Sequence, residues 1–365
     1  MRKDYIDNIR WMTIVLVVIY HVIYMYNAEG IEGVVGKITN VDVQYWDLYQ
    51  YAVYPWIMPI LFVIAGMCSA YYLENHSDRE FLRSRTTKLL VPSTIGLFVF
   101  QFLQGYVNDA IATPEGSEQT IPVFFRILIM LASGTGVLWF IQVLWVLSVV
   151  LILIRKIEKG KLADICSRTN IIVLVFLGIP VWAAGQVLNT PVIVVYRFGF
   201  YGALFLLGYF VFSHEEVIER LKKWRYPLLA AALACVVAFC AVYFGEVFAD
   251  APINRSPLFA ACTWFGCLAI LGCMAKYADF SNRFTRWMHS RCFGLYVFHY
   301  LGISSVGLFV AKAGLLPAAA CYLLSAFCGF GAGFLLNAII SRIPFFRWAV
   351  LGISKRKQKP VTQKS

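Results

Sequence analysis

Arg10 and His21 stand eleven residues apart in the first apolar segment, "RKDYIDNIRWMTIVLVVIYHVIYMYN". A guanidinium can hold an anion through paired hydrogen bonds, and an imidazole can take a proton from a hydroxyl or attack a carbonyl itself. At 100° per residue, eleven residues make three turns plus roughly 20°, so both side chains share one helix face with Ile14 and Val17, about 16 Å apart along it. Tyr24, one turn beyond His21, is placed to be its polar partner. The bland alternative is a packed, hydrogen-bonded histidine and an arginine that snorkels to an interface.

The elements that must position these residues follow from composition. The 365-residue chain is 60% hydrophobic and 14% charged, with a mean hydropathy of +0.70, which places it among all-α polytopic membrane proteins. Ten apolar runs of spanning or near-spanning length read as transmembrane helices: Trp11 to Tyr26, Tyr51 to Tyr72, Leu89 to Tyr106, Val137 to Ile154, Ile171 to Val187, Val195 to Phe212, Tyr226 to Phe244, Pro257 to Met274, Phe293 to Val310 and Leu315 to Ile340. The first has signal-peptide flanks, but Tyr26–Gly30 is a poor cleavage site, so it is expected to stay as a span. With both termini cytoplasmic, 27 basic residues fall inside and only Lys37, Arg126, Arg197, Arg255 and Lys312 outside. The net charge of +12 is thus a topology signal, and nucleic acid is not an expected partner. Most of the ten cysteines lie in apolar runs without CxxC spacing and read as small core hydrophobes, with no metal site.

One membrane domain is expected over residues 1–350, followed by a basic cytoplasmic tail, 351–365, that touches anionic lipid headgroups. Two extracytoplasmic loops, Ala28 to Gln50 and Val107 to Gly136, could form a lid or an acceptor platform; Ile121 to Leu131 is too short to cross and reads as interfacial or re-entrant.

Several stretches, in order and spacing, carry a resemblance. "YIDNIRWMTIVLVVIYH" resembles the opening helix of the acyltransferase family 3 integral-membrane proteins, "MPILFVIAGMCSAYY" the second helix and "FLRSRTTKLLVP" the basic loop running into a proline-bearing third. "GVLWFIQVLWVL" is similar to the fourth helix and "FGLYVFHYLG" to the penultimate one. Nearly the whole chain is covered. The chain departs from the family pattern at Ala65, where a serine often precedes the glycine, and at Lys88, where a second arginine often follows Arg85. The stand-alone form of the family, without a hydrolase-like domain after the last helix, is the one expected.

The resemblance implies transfer of an acyl group, commonly acetyl, from cytoplasmic acyl-CoA to a hydroxyl of an extracytoplasmic or lipid-linked glycan, at the bacterial cell membrane and without a permanently bound cofactor. On that reading Arg10, Arg83, Arg85 and Lys88 form a cationic mouth for the CoA phosphates, and His21 serves as base in preference to an acyl-histidine. His299, about six residues into the ninth span, lines the CoA channel or bonds a neighbouring helix. Trp139 and Gln142 lie beside the acceptor, where an indole face can stack on a sugar. Arg197 polarises the carbonyl, holds an anionic acceptor or snorkels. Rival readings are a transporter or flippase, which would show acidic residues deep in its spans where this chain has none, and a non-catalytic scaffold. A haem carrier using His21 and His299 fits poorly, because the spans put the two at different depths.

Overall fold

The computed structural model of the chain describes residues 3–31, 33–113, 122–190 and 195–354. Ile121 and most of the expected tail, 355–365, lie outside them. All regular structure among the described residues is helical, apart from one isolated bridge between Asn189 and Arg197. From the N-terminus the main helices are α1 (Asp4–Met25), α2 (Tyr45–Leu73), α3 (Asp78–Ala112), α4 (Val123–Ser133), α5 (Gly136–Glu158), α6 (Ile171–Ala184), α7 (Phe198–Phe210), α8 (Glu215–Tyr243), α9 (Pro257–Tyr277), α10 (Arg283–Ala311), α11 (Ala318–Ile340) and α12 (Pro344–Leu351), with a short helix, Lys161–Ser167, between α5 and α6. Eight of these, α1, α2, α3, α5 and α8 to α11, are long and apolar enough to cross a bilayer. The fifth and sixth expected spans are the shorter helices α6 and α7.

Helices α3, α8 and α10 begin well before the sequence reading places them, α3 and α10 for the same reason. A capping box at Ser77/Glu80 starts α3 at Asp78, and another at Asn282/Thr285 starts α10 at Arg283, both inside charged sequence that hydropathy does not register as helix. His299 therefore lies deep in α10 and not near its beginning.

Prolines shape the middle of the bundle. Pro59 has no N–H to give to the carbonyl of Pro55, and the buried Thr263 hydroxyl of α9 donates to that carbonyl instead. Pro92 leaves the Lys88 carbonyl without its helical donor, and just there α3 widens into a π-helical stretch, Thr86–Leu90. Close approach of α2 and α7 depends on Gly66 and Gly208, since a Cβ on Gly66 would strike the Phe205 carbonyl and one on Gly208 the Val63 carbonyl.

Helix α1 packs against α2, α9, α10 and α11, with Met12 and Ile19 on its exposed face. Its start is pinned by polar bonds. Asn8, buried, donates to the carbonyls of Ala278 and Phe280 at 2.7 and 2.9 Å, and Asp279 accepts the Tyr5 N–H at 3.1 Å, satisfying a first-turn amide that the helix itself cannot. Large apolar side chains such as Phe98, Leu153, Val237, Leu323 and Phe327 stay exposed around the outside, as a lipid-facing perimeter requires.

Candidate active site

Because α1 and α10 both start at the end of the bundle that carries the N-terminus, the basic end, and run side by side, His21 and His299 reach equal depth, about 25 Å of helix rise from each start. Their rings meet there. His299 Nε2 lies 3.1 Å from His21 Nδ1, so the polar partner of His21 is His299, and Tyr24 instead presents its ring edge-on at 6.0 Å. The argument against a shared haem, unequal depth, does not hold; the direct ring-to-ring hydrogen bond leaves no space for an iron between these two nitrogens.

Backbone carbonyls fix the protons on the pair. His299 Nδ1 sits 3.1 Å from the Leu295 carbonyl and 2.8 Å from that of Tyr296, both acceptors, so it carries hydrogen and donates. In an uncharged ring Nε2 is then an acceptor, which requires His21 Nδ1 to be the donor; the Val17 carbonyl, 2.9 Å away, accepts from the same N–H. The free lone pair of the pair is therefore on His21 Nε2. Tyr20, Tyr24 and Tyr300 pack their rings within 5.1 to 6.0 Å of His21, and Tyr54 stacks on Tyr20. None of these four hydroxyls hydrogen-bonds a protein group among the described residues, which leaves four free donors in the aromatic cluster that His21 belongs to.

Toward the basic end a cavity of about 830 Å³ opens between α1, α2, α3, α5 and α10. It is lined by Arg10, Arg83, Arg85 and Lys88, the four residues singled out from sequence, and it ends at Ile14, Leu61 and Tyr296, one turn short of His299. Arg10 donates to Asp7 at 3.0 Å and to the Cys68 sulfur at 3.3 Å; Arg85 donates to Ser69 at 2.9 Å and lies over the Phe81 ring. Arg83 and Lys88 are exposed at the rim. The one acid among the lining residues, Glu80, is turned away into its capping box with Ser77. Where the family often has serine, Ala65 lines the cavity; the hydroxyl that meets Arg85 comes from Ser69, one turn on.

The remaining sequence candidates lie beyond the cavity. Gln142 is bound at both ends of its amide, donating to the Ser93 carbonyl at 3.1 Å and accepting from the Tyr196 hydroxyl. Trp139 joins Phe62, Phe140 and Tyr201 in an aromatic layer above the cavity's inner end. Arg197, buried, lies over Phe200 and Phe259 at 4.2 and 5.2 Å. Sequence reasoning missed Tyr20, Tyr54, Tyr300, Cys68 and Ser69, and also the C-terminal stretch Leu351–Ser354, which forms part of the cavity wall. Tyr20 and Tyr300 adjoin the two histidines in sequence and were findable; the wall at Leu351–Ser354 had no sequence signal. A family model described as an acyltransferase domain matches residues 3–342. No curated protein and no solved structure matches the chain.

Proposed function

The chain belongs to the acyltransferase 3 family and is a membrane acyltransferase; from that premise we propose that it moves an acyl group, acetyl in the first instance, from cytoplasmic acyl-CoA to a glycan hydroxyl presented from the opposite side of a bacterial cell membrane. The observation that carries this reading is the alignment of a cation-ringed cavity with a histidine pair beyond its end, one turn past Tyr296 on α10 and two turns past Ile14 on α1.

CoA is a polyanion at one end and a thioester at the other. Its phosphates sit among Arg10, Arg83, Arg85 and Lys88, and its arm follows the apolar wall of Ile14, Ile64, Leu61 and Tyr296 toward His21. His21 Nε2 removes the proton from the acceptor hydroxyl as the oxygen attacks the thioester carbonyl. The positive charge that develops on His21 is shared through its Nδ1–H with His299 Nε2 and the Val17 carbonyl. A new C–O bond forms, the C–S bond breaks, and the proton on Nε2 passes to the departing thiolate. Tyrosine hydroxyls around the base supply donors for the oxyanion, and Trp139 and Tyr201 offer aromatic faces to a sugar ring.

Glycan O-acylation compared between cells that carry the native protein, the His21→Ala variant and no copy tests this. The variant should match the empty strain. Full decoration by the variant would remove His21 as base, and identical glycans with and without the protein would remove the acceptor class. In purified protein, CoA should shield Cys68, on the cavity wall, from alkylation in both forms; equal labelling with and without CoA would sink the donor cavity.

A further inference from the structure

Five basic residues stand at the far end of the bundle, and the structure accounts for three. Lys37 donates to the Asp42 carbonyl, Arg126 pairs with Asp109 at 3.0 Å, and Lys312 caps the end of α3 through the carbonyls of Ala110, Ile111 and Thr113 at 3.0 to 3.1 Å. Arg197 and Arg255 remain. Arg197 is buried, its Nε bonds to nothing, and its guanidinium lies over the Phe200 and Phe259 rings; neither arginine has a carboxylate partner among the described residues. The two meet at the end of α6: a Cβ on Gly185 would come within 3.5 Å of Arg197 Nη2, and Trp182 and Gln186, either side of that glycine, hold the Arg255 carbonyl, four residues before the Phe259 ring that Arg197 covers.

Both are held in place by their backbones. The Asn189–Arg197 bridge and the bond from Phe198 N–H to the Leu188 carbonyl fix the turn that carries Arg197. Trp182 and Gln186 both donate to the Arg255 carbonyl at 3.1 Å, immediately before the Ser256 cap of α9. Two like charges brought together, one of them out of water, oppose each other and lack a counter-charge; an anion between them supplies it. From Arg197 a run of rings leads to the base: Tyr54, then Tyr20 at 6.2 Å, then His21 at 5.2 Å.

We propose that Arg197 and Arg255 form an anion-binding site for the acceptor, which therefore carries an acidic group, a carboxylate on the sugar or the phosphate of a lipid-linked carrier, close to the hydroxyl that is acylated. This rests on the acyltransferase reading of His21. Arg197 takes the acid bidentately, Tyr54 adds a hydroxyl donor, and the sugar is thereby aligned with His21 Nε2.

The test is binding to purified protein in nanodiscs, read by thermal shift and titration with three probes: a hexuronate oligosaccharide, its neutral hexose counterpart, and a polyprenyl diphosphate sugar. An acidic probe should bind roughly 30-fold or more tightly than the neutral one, and Arg197→Gln or Arg255→Gln should abolish that margin. Arg197→Lys should retain part of it. Preference for the hexuronate identifies a carboxylated acceptor, and preference for the diphosphate a lipid-linked one. Equal binding of acidic and neutral probes, displacement of the acidic probe by phosphatidylglycerol alone, or undiminished binding in Arg255→Gln would overturn the proposal. His21→Gln separates the two readings: an anion margin that persists in this variant, alongside native transfer activity that it fails to lose, would keep the site and discard the base.

Discussion

At the basic end four cations ring an open cavity of about 830 Å³, two of them exposed at its rim, while at the far end Arg197 is buried under Phe200 and Phe259 with Arg255 nearby. The acids are disposed just as differently. Asp7 pairs with Arg10 at the basic end, and Glu80 is spent on a cap, whereas at the far end Glu29 has the carboxylate of Asp47 as a neighbour. Rim charges already in water cost little to keep and each contributes little; a charge removed from water interacts strongly with whatever reaches it. The basic end therefore suits a large, highly charged ligand drawn from solution by several weak contacts, and the middle and far end suit few contacts of large effect.

That contrast is broken most directly at the histidine pair. His299→Ala removes the acceptor that orients His21 Nδ1–H, and kcat should fall roughly 100-fold with the donor KM unchanged. His299→Gln can still accept through its amide oxygen and should fall between the two, with a shifted pH–rate profile. Steady-state kinetics on purified protein decide it: a rise in donor KM without loss of kcat would make His299 a donor-cavity residue, as its position in the sequence first implied.

Within the basic end the same contrast predicts a gradient from wall to rim. Charge-assisted hydrogen bonds contribute about 1.5–3 kcal/mol, so Arg85→Ala should raise donor KM roughly 10- to 100-fold. Exposed pairs contribute about 0–1 kcal/mol, so Arg83→Ala and Lys88→Ala should change KM by no more than about fivefold, and less in high salt. A rim substitution as damaging as Arg85→Ala would show that depth does not order these contacts. A smaller effect is expected from Gly352→Ala. Gly352 has φ 63° and a Cβ there would strike the Thr87 carbonyl and the Lys88 backbone, at a cost of about 1–2 kcal/mol in the C-terminal wall. Donor KM should rise a few-fold with a lowered Tm, and unchanged values of both would detach that segment from the cavity.

The basic end was legible in the sequence because its charges sort by topology: apolar runs locate the helices, and the loops between them must carry Arg83, Arg85 and Lys88 to the same side as Arg10. The His21–His299 contact was not legible, since the depth of His299 depends on where α10 begins, and that is set by the Asn282/Thr285 cap in a charged stretch of sequence. Arg255 was counted only as a topology charge, because its place near Arg197 arises from the packing of α9 against α6 and from the Phe200–Phe259 contact between α7 and α9, which no local pattern encodes. Of the aromatic layer only Trp139 was noticed, Phe62, Phe140 and Tyr201 being indistinguishable from lipid-facing residues by type alone.

The smallest predicted effect concerns Glu29, where the far end lacks what Arg10 gives Asp7. Burial, with the Asp47 charge adding to it, pushes the Glu29 carboxyl up from 4.5 to about 7; its Oε2 has no partner, while Tyr51 donates to Oε1 at 3.3 Å. A carboxyl raised in the folded state favours folding when protonated, so its contribution is whole below about pH 4.5 and is lost as pH rises through about 7. Hydrogen exchange in the loop between α1 and α2 should therefore quicken modestly from pH 5 to pH 8, after correction for the intrinsic rate, and the slope should vanish in Glu29→Gln. At the basic end the Asp7→Asn variant should loosen the start of α1, because it removes the carboxylate that accepts from Arg10 at 3.0 Å. A pH slope that survives in Glu29→Gln would mean that another group in that loop carries it.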